Sequence, residues 1–277
     1  MSLEELVDTL STLGVAHEVR RSGADGALLF LPEFGRLLGI WPHFRAENAL
    51  WVNPGFLHSL RVGVKDDAWS GPGGDRVWLA PGAEFLGEGG AVPPAIDPGR
   101  YSFSSDRAGV TLASRGEAFA RRTGVRVRFR VTRRFRPLDE AEIDAACGQT
   151  FLRRSGCQED LELEIEGRCP VPVRLWSIAQ APPGSELLMG NGKLVCVQDG
   201  DSHRARLLVK TCEAGDPSKD DSGEAAGVSR SRPVELALVS PAIATGARRR
   251  VLLWKVFLYS FSGRSAEIRQ FASRMVY

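Results

Sequence analysis

The sequence predicts a mainly β fold: a large antiparallel sandwich or barrel with a short helix at its N-terminal end. After residue 14, short apolar runs are interrupted by Gly, Pro, Asp or Asn about every eight to twelve residues, which is typical of antiparallel sandwiches and barrels. These runs are too numerous for one small barrel. With 43% hydrophobic and 25% charged residues, the chain falls outside the disordered, collagen-like and coiled-coil classes. We expect one sandwich domain over residues 15–277.

Residues 1–14 are predicted to form a helix that covers a sheet. Ser2 and Glu5 have the spacing of a capping box, and Gly14 stands where a left-handed residue would end the helix. Apolar side chains recur with helical periodicity at Leu3, Leu6, Val7, Leu10 and Leu13.

The rest of the chain is predicted to be a series of strands, with one loop and one further helix. The strands are Ala27–Leu31, Arg36–Trp41, Ala49–Val52, Ser59–Val64, Arg76–Leu79, Gly109–Ala113, Val125–Phe135, Leu161–Glu166, Val171–Gln180, Lys193–Gln198, Ala205–Val209, Val234–Val239 and Val251–Tyr259. Residues 213–231 contain almost no large apolar side chain, so we expect a long exposed loop there. A C-terminal helix is predicted over Ser265–Arg274, with Ser265 as its cap.

Two predicted strands carry charges of opposite sign on alternate residues. Residues 125–131 alternate apolar groups with three arginines, and residues 161–166 alternate apolar groups with three glutamates. If the two strands are neighbours, one face becomes a ladder of Arg–Glu pairs and the other joins the core. On the exposed face, aromatic residues do not interleave with these arginines, as binding to single-stranded nucleic acid would require, so we predict no nucleic-acid partner.

Composition and motifs exclude several other partners and cofactors. The 36 basic and 34 acidic residues nearly cancel. The sequence shows no apolar membrane span and no secretory signal, which predicts a cytoplasmic protein without a membrane partner. Its five cysteines contain no C-x-x-C pair, and P-loop and G-x-G-x-x-G motifs are absent. We therefore predict no metal and no cofactor.

The most unusual stretch of the sequence is the run from Trp69 to Pro81, which contains a Pro-Gly-Gly turn. The turn is followed by the charged pair Asp75 and Arg76 and then by Trp78. An indole ring stacks on the apolar surface of a sugar, while Arg and Asp side chains hydrogen-bond its hydroxyls. These residues favour carbohydrate binding. The alternative is that Asp75 and Arg76 pair with each other or cap the turn, with Trp78 in the core.

Three segments resemble uncharacterised bacterial domains of the galactose mutarotase-like superfamily. They are Asn53-Pro54, the run Gly73-Gly74-Asp75-Arg76-Val77-Trp78-Leu79-Ala80-Pro81 and residues 176–184. The resemblance extends from about Ala27 to Ser262. It implies a β-supersandwich whose concave face binds a sugar or sugar derivative, with Asp75, Arg76, Trp78 and Gln180 lining that face. It also implies that Arg76 contacts the sugar and that Glu235 is a general base.

Whether a bound sugar also reacts is left open by the sequence. Interconversion of sugar anomers needs a base and an acid that work near neutral pH. The histidines that the resemblance leads one to expect are missing, and His43, between aromatic neighbours, is the candidate acid. The alternatives are an aldose 1-epimerase-like isomerase with Glu235 as base, a glycosidase pairing Glu235 with Asp75 or Glu84, and a non-catalytic scaffold for protein contacts.

Overall fold

The computed structural model describes residues 1–63, 71–147, 153–167, 169–182, 186–189, 234–239, 250–261 and 266–271. It confirms the predicted mainly β, sandwich-type fold. In this part of the chain the strands are β1 Glu18–Ser22, β2 Gly26–Leu31, β3 Arg36–Trp41, β4 Asp75–Ala80, β5 Tyr101–Ser105, β6 Val110–Ala120, β7 Val125–Pro137, β8 Arg153–Glu166, β9 Arg174–Ala181, β10 Glu186–Met189, β11 Val234–Val239, β12 Arg250–Phe261 and β13 Ala266–Phe271.

The strands form two sheets that pack against each other. One sheet has six strands in the order β1-β2-β3-β4-β9-β11, and the other has seven in the order β10-β13-β12-β8-β7-β6-β5. Neighbouring strands are antiparallel except β10 and β13, which are parallel. The rings of Phe30 on β2 and Phe135 on β7 meet edge to face across the interface, with centroids 5.1 Å apart.

Four helices lie around the sheets in the described residues. They are α1 Leu3–Thr12, α2 Pro54–Val62, α3 Gly82–Phe85 and α4 Glu140–Cys147, with short 3-10 turns at Pro32–Phe34 and Glu88–Gly90. None of the helices in the described part of the chain is both long and apolar enough to cross a membrane.

The predicted N-terminal helix is confirmed as α1. The Ser2 hydroxyl accepts from the Glu5 backbone N–H, the Glu5 carboxylate accepts from the Ser2 N–H, and Gly14 has φ +67°. Its buried leucines pack on the apolar side chains of β2 and β3 in a single cluster that includes Leu29 and Trp41. The helix therefore covers one face of the six-stranded sheet, as its apolar stripe predicts.

The two charged strands are neighbours, as predicted, and their register sets arginines opposite glutamates. Strands β7 and β8 pair in a register that sets Arg128 opposite Glu166 and Arg130 opposite Glu164. On the other faces of these strands, the alternating apolar side chains are buried in one cluster: Val127, Phe129, Val131, Leu161, Leu163 and Ile165. The alternating pattern thus assigned both faces correctly, because side chains on a strand point to opposite sides in turn.

The predicted strand Ser59–Val64 is wrong, because residues 54–62 form helix α2. The Asn53 side chain accepts from the Gly55 N–H, Pro54 occupies the first turn, and Gly63 ends the helix with φ +67°. These are strong start and stop signals for a helix. They fix the local structure although the apolar residues also suit a strand.

The predicted C-terminal helix over Ser265–Arg274 is wrong as well. Ala266–Phe271 is strand β13, which pairs along its length with β12 on one side and with β10 on the other. Backbone hydrogen bonds with these two neighbours satisfy its peptide groups and override a modest helical pattern. Of the predicted strand Ala49–Val52, only a single bridge between Val52 and Gly73 is present. The strands predicted over 193–198 and 205–209 and the loop over 213–231 lie outside the described residues.

We expect Gly74→Ala to destabilise the fold more than Gly63→Ala, although both glycines need positive φ. Gly74 has φ +72°, and a Cβ there would lie 2.4 Å from the Leu37 carbonyl oxygen. Gly63 has φ +67° with no atom within 4 Å of an added Cβ. Backbone strain alone costs about 1–2 kcal/mol, and the clash adds to it only at Gly74. Urea unfolding of both variants measures the difference in stability. Equal losses of unfolding free energy would contradict the close approach of Gly74 to the Leu37 carbonyl.

Candidate functional site

The double-glycine turn joins β4 to two neighbouring segments. Gly73 and Gly74 have φ of +91° and +72°, a conformation that residues with a Cβ rarely adopt. The Gly74 N–H donates to the Trp51 carbonyl at 2.9 Å, and the Gln180 N–H donates to the Gly74 carbonyl at 3.0 Å. The turn therefore fixes the start of β4 beside the end of β9, which brings the Gly73–Pro81 run and residues 176–181 together.

The side chains of β4 point to two opposite sides of the sheet. The alternation of a strand places Asp75 on one side and Arg76 and Trp78 on the other. In the register of β4 and β9, Trp78 stands opposite Trp176, and their rings meet edge to face at 5.5 Å and 86°. The run that the sequence singled out thus contributes to two neighbouring groups of contacts.

Asp75 belongs to a buried ion cluster between the sheets. The Asp75 carboxylate accepts from Arg133 of β7, whose Nε donates to Glu159 of β8 at 2.7 Å. Arg133 also donates to the Gly35 and Asp75 carbonyls at 2.5 and 3.2 Å. The side chains of Arg133, Asp75 and Glu159 are all 0% exposed. Burial alone would lower the pKa of Arg133, but the carboxylates of Glu159 and Asp75 outweigh it and raise that pKa above its ordinary value.

Arg76 and Trp78 belong to a second cluster centred on Asp97, in the segment between α3 and β5. The Asp97 carboxylate accepts from Arg36 at 2.5 Å and from the Trp78 indole N–H at 2.8 Å, and it lies 3.9 Å from Arg76 Nε. The Arg76 guanidinium lies over the Trp78 ring, 4.7 Å from its centroid. Burial alone would raise the pKa of Asp97, but Arg36, Arg76 and the Trp78 hydrogen bond together lower it below its usual range.

The four residues predicted to line a sugar groove are closed off from water in this structure. The exposed fractions are 0% for Asp75, 3% for Arg76, 3% for Trp78 and 2% for Gln180. Trp78 lies in the core, as the alternative interpretation of the run has it, but Asp75 pairs with Arg133 rather than with Arg76. An open groove lined by these four side chains is therefore not what the structure shows.

Trp176 is the part of this region that reaches the surface. Trp176 is partly exposed, and next to it on the same side of β9, Arg174 is partly exposed too. The Trp176 indole N–H itself is buried and has no hydrogen-bond partner among the described residues. In the sequence, Trp176 stands out only as the first residue of the resembling segment 176–184. What distinguishes it is its position opposite Trp78, and that position is known only once two strands almost a hundred residues apart are placed in register.

The two residues predicted to be catalytic lie at different places in the fold. Glu235 of β11 occupies the register position opposite Gln180, two strands from Arg76. His43 follows the end of β3, where its Nδ1 accepts from the backbone N–H of Arg45 in its own turn. The register sets Leu37 opposite Asp75, and in the antiparallel arrangement the chain beyond Leu37 runs away from Arg76 towards His43. The structure gives His43 a local role in the turn.

Neither the metal-ligating side chains among the described residues nor comparisons with known proteins assign a function to this site. Across the residues that the structure describes, no group of three or more His, Cys, Asp or Glu side chains is arranged to hold a metal ion. Comparisons of the chain with protein families, with curated proteins and with solved structures found no match.

Proposed function

We propose that the protein recognises a carbohydrate or a sugar derivative, and that Trp176 is the residue on which the sugar stacks. This follows the expectation from the mutarotase-like resemblance but moves the point of contact. Trp176 becomes the contact, and Trp78 and Arg76 become the supporting layer, while Asp75 lies on the opposite side of β4. The single observation that carries the proposal is that Trp176 is partly exposed and rests on the buried ring of Trp78.

The surroundings of Trp176 suit this role. Aromatic rings that bind sugars need one apolar face and a fixed orientation, and the edge-to-face contact with Trp78 holds the ring of Trp176 in place. Trp78 is fixed in turn by its hydrogen bond to Asp97 and by the Arg76 guanidinium over its ring. A contact residue supported by such a packed layer loses little conformational freedom when a ligand binds.

The proposal predicts that Trp176→Ala weakens sugar binding about tenfold or more, a loss of about 1.4 kcal/mol. Calorimetric titration with a panel of mono- and oligosaccharides measures this. Trp176→Phe, which keeps an aromatic face but loses the N–H, is expected to fall between the wild type and the alanine variant. Phe119→Ala is the control, because Phe119 is 54% exposed on β6 of the other sheet.

Two outcomes would refute the proposal. One is a saccharide that binds Trp176→Ala as tightly as the wild type, since the sugar would then contact another part of the molecule. The other is the absence of binding by every saccharide of the panel to the folded wild type. Circular dichroism of each variant checks that a loss of affinity does not come from unfolding.

A further inference from the structure

A shallow cleft lined by arginines lies at the edge of the sandwich, where β1, the turn between β5 and β6, and the end of β7 meet. Its volume is about 510 Å³. The lining residues are Arg20, Arg21, Arg107 and Arg136, with Val19, Ala108 and Pro137 between them. We call this group the arginine cleft. None of the described residues that line it is acidic.

Two of the arginines are held in place by their neighbours. Arg20 lies 3.5 Å from Glu18 and donates to the Ser105 hydroxyl at 3.2 Å. Arg136 donates to both oxygens of Glu142, at 2.6 and 2.8 Å, and to Gln158 at 2.9 Å. These bonds connect β1 to β5 and β7 to β8. The cleft therefore has a fixed wall on each side.

The other two arginines, Arg21 and Arg107, are exposed and form no ion pair with any described residue. The nearby Asp106 carboxylate accepts from the backbone N–H groups of Ala108 and Gly109 within its own turn. On the face where β7 and β8 pair, by contrast, Arg134 lies 3.1 Å from Glu162. In the arginine cleft, Glu18 and Glu142 compensate Arg20 and Arg136, whereas the charges of Arg21 and Arg107 have no ion-pair partner among the described residues.

Protection of an exposed sheet edge explains only part of this pattern. Charged side chains on an edge strand prevent pairing with another chain, which accounts for the arginines on β1. Arg107 lies on a turn and Arg136 on a strand inside its sheet, so neither guards an edge. Arginines from three segments, β1, the β5–β6 turn and β7, thus line one cleft, which is typical of an anion-binding site in which guanidinium groups hold oxygen atoms in pairs.

We propose that the arginine cleft binds the phosphate or sulfate group of a small molecule. Such a group carries several oxygens that accept hydrogen bonds from planar guanidinium forks, and a cleft of this size holds the group together with a small organic moiety. The site is separate from Trp176, because β1 and β9 are four strands apart in the sheet, roughly 19 Å at the usual strand spacing. The proposal of an anion site is therefore independent of the proposal that the protein binds a sugar.

Titration of the full chain with inorganic phosphate, inorganic sulfate and glycerol phosphate tests the site, with uncharged glycerol as a blank. We expect saturable binding of at least one oxyanion with a dissociation constant below about 10 mM, weakened about tenfold or more in the Arg21→Ala/Arg107→Ala variant. The matched control is Arg115→Ala/Arg126→Ala. It removes the same positive charge from side chains that are 65% and 77% exposed outside the cleft, and it should bind like the wild type.

Three results would overturn the proposal. The first is equal affinity of Arg21→Ala/Arg107→Ala and the wild type. The second is an equal loss in both double variants, which would show a general effect of net charge. The third is that none of the oxyanions binds saturably. A short RNA oligomer is titrated in parallel, and a salt-sensitive complex with RNA alone would indicate a nucleic-acid surface instead of a small-anion site.

Discussion

Replacing Arg133 with methionine is expected to lower the free energy of unfolding by about 3–5 kcal/mol, the largest single effect that the structure predicts. Arg133 neutralises Asp75 and Glu159, and all three side chains are 0% exposed. Without the guanidinium, two carboxylates would stay buried next to each other with no cation between them. The Gly35 and Asp75 carbonyls would also lose a donor. Urea unfolding at neutral pH measures the loss.

The exposed pair Arg134–Glu162 provides the control for this prediction. Arg134 is the next residue on β7, but its side chain is 50% exposed, and ion pairs at such positions contribute only about 0–1 kcal/mol. Arg134→Met should therefore leave the midpoint of unfolding almost unchanged. Similar losses for the two variants would contradict the view that Arg133 neutralises a buried cluster.

The second large effect is expected for Asp97→Asn, which we predict to cost about 3 kcal/mol or more at pH 7. Asparagine keeps an oxygen that can accept from the Trp78 N–H, but it removes the only negative charge that the described structure places against Arg36. Arg36 is 1% exposed, and two of its guanidinium nitrogens, Nε and Nη1, have no partner among the described residues. In the Asp97→Asn variant, the buried charge of Arg36 is therefore left without a compensating negative charge among the described residues.

The pH dependence of this loss follows from the lowered pKa of Asp97. A carboxyl group whose pKa is lower in the folded state stabilises the fold fully above its unfolded pKa, about 3.9 for Asp. That stabilisation is lost as the pH falls through the lower pKa of the folded state. The difference in unfolding free energy between wild type and Asp97→Asn should therefore be largest near neutral pH and shrink below about pH 4. A difference that stays constant from pH 7 to pH 3 would contradict this account.

Features determined by neighbouring residues could be predicted from the sequence. The capping box of Ser2 and Glu5 and the periodicity of five apolar side chains predicted α1, and strict alternation predicted the buried and charged faces of β7 and β8. Each of these patterns is complete within fifteen residues or so, so no knowledge of the tertiary fold is needed to interpret it. The same local logic applied to the caps at Asn53 and Gly63 would have identified α2.

Features that depend on strand pairing could not be predicted. Asp75 and Arg76 were identified as unusual, but their partners Arg133 and Asp97 come from other parts of the chain. The sequence gives the period of a strand but not its register with distant strands, which decides whether a charged residue faces water or a buried partner. For this reason the residue types alone predicted that these charges line a groove, whereas the structure buries them. Trp176 escaped notice for the same reason.

The most direct test of sugar recognition at Trp176 is the NMR spectrum of the indole N–H groups during a saccharide titration. The chain has six tryptophans, and the signal of Trp176 is the one missing from the Trp176→Phe spectrum. We predict that this signal shifts as the sugar saturates the protein, because Trp176 is partly exposed and its N–H belongs to the ring on which the sugar stacks. A bound sugar that leaves the Trp176 signal in place and shifts only other signals would contradict the account.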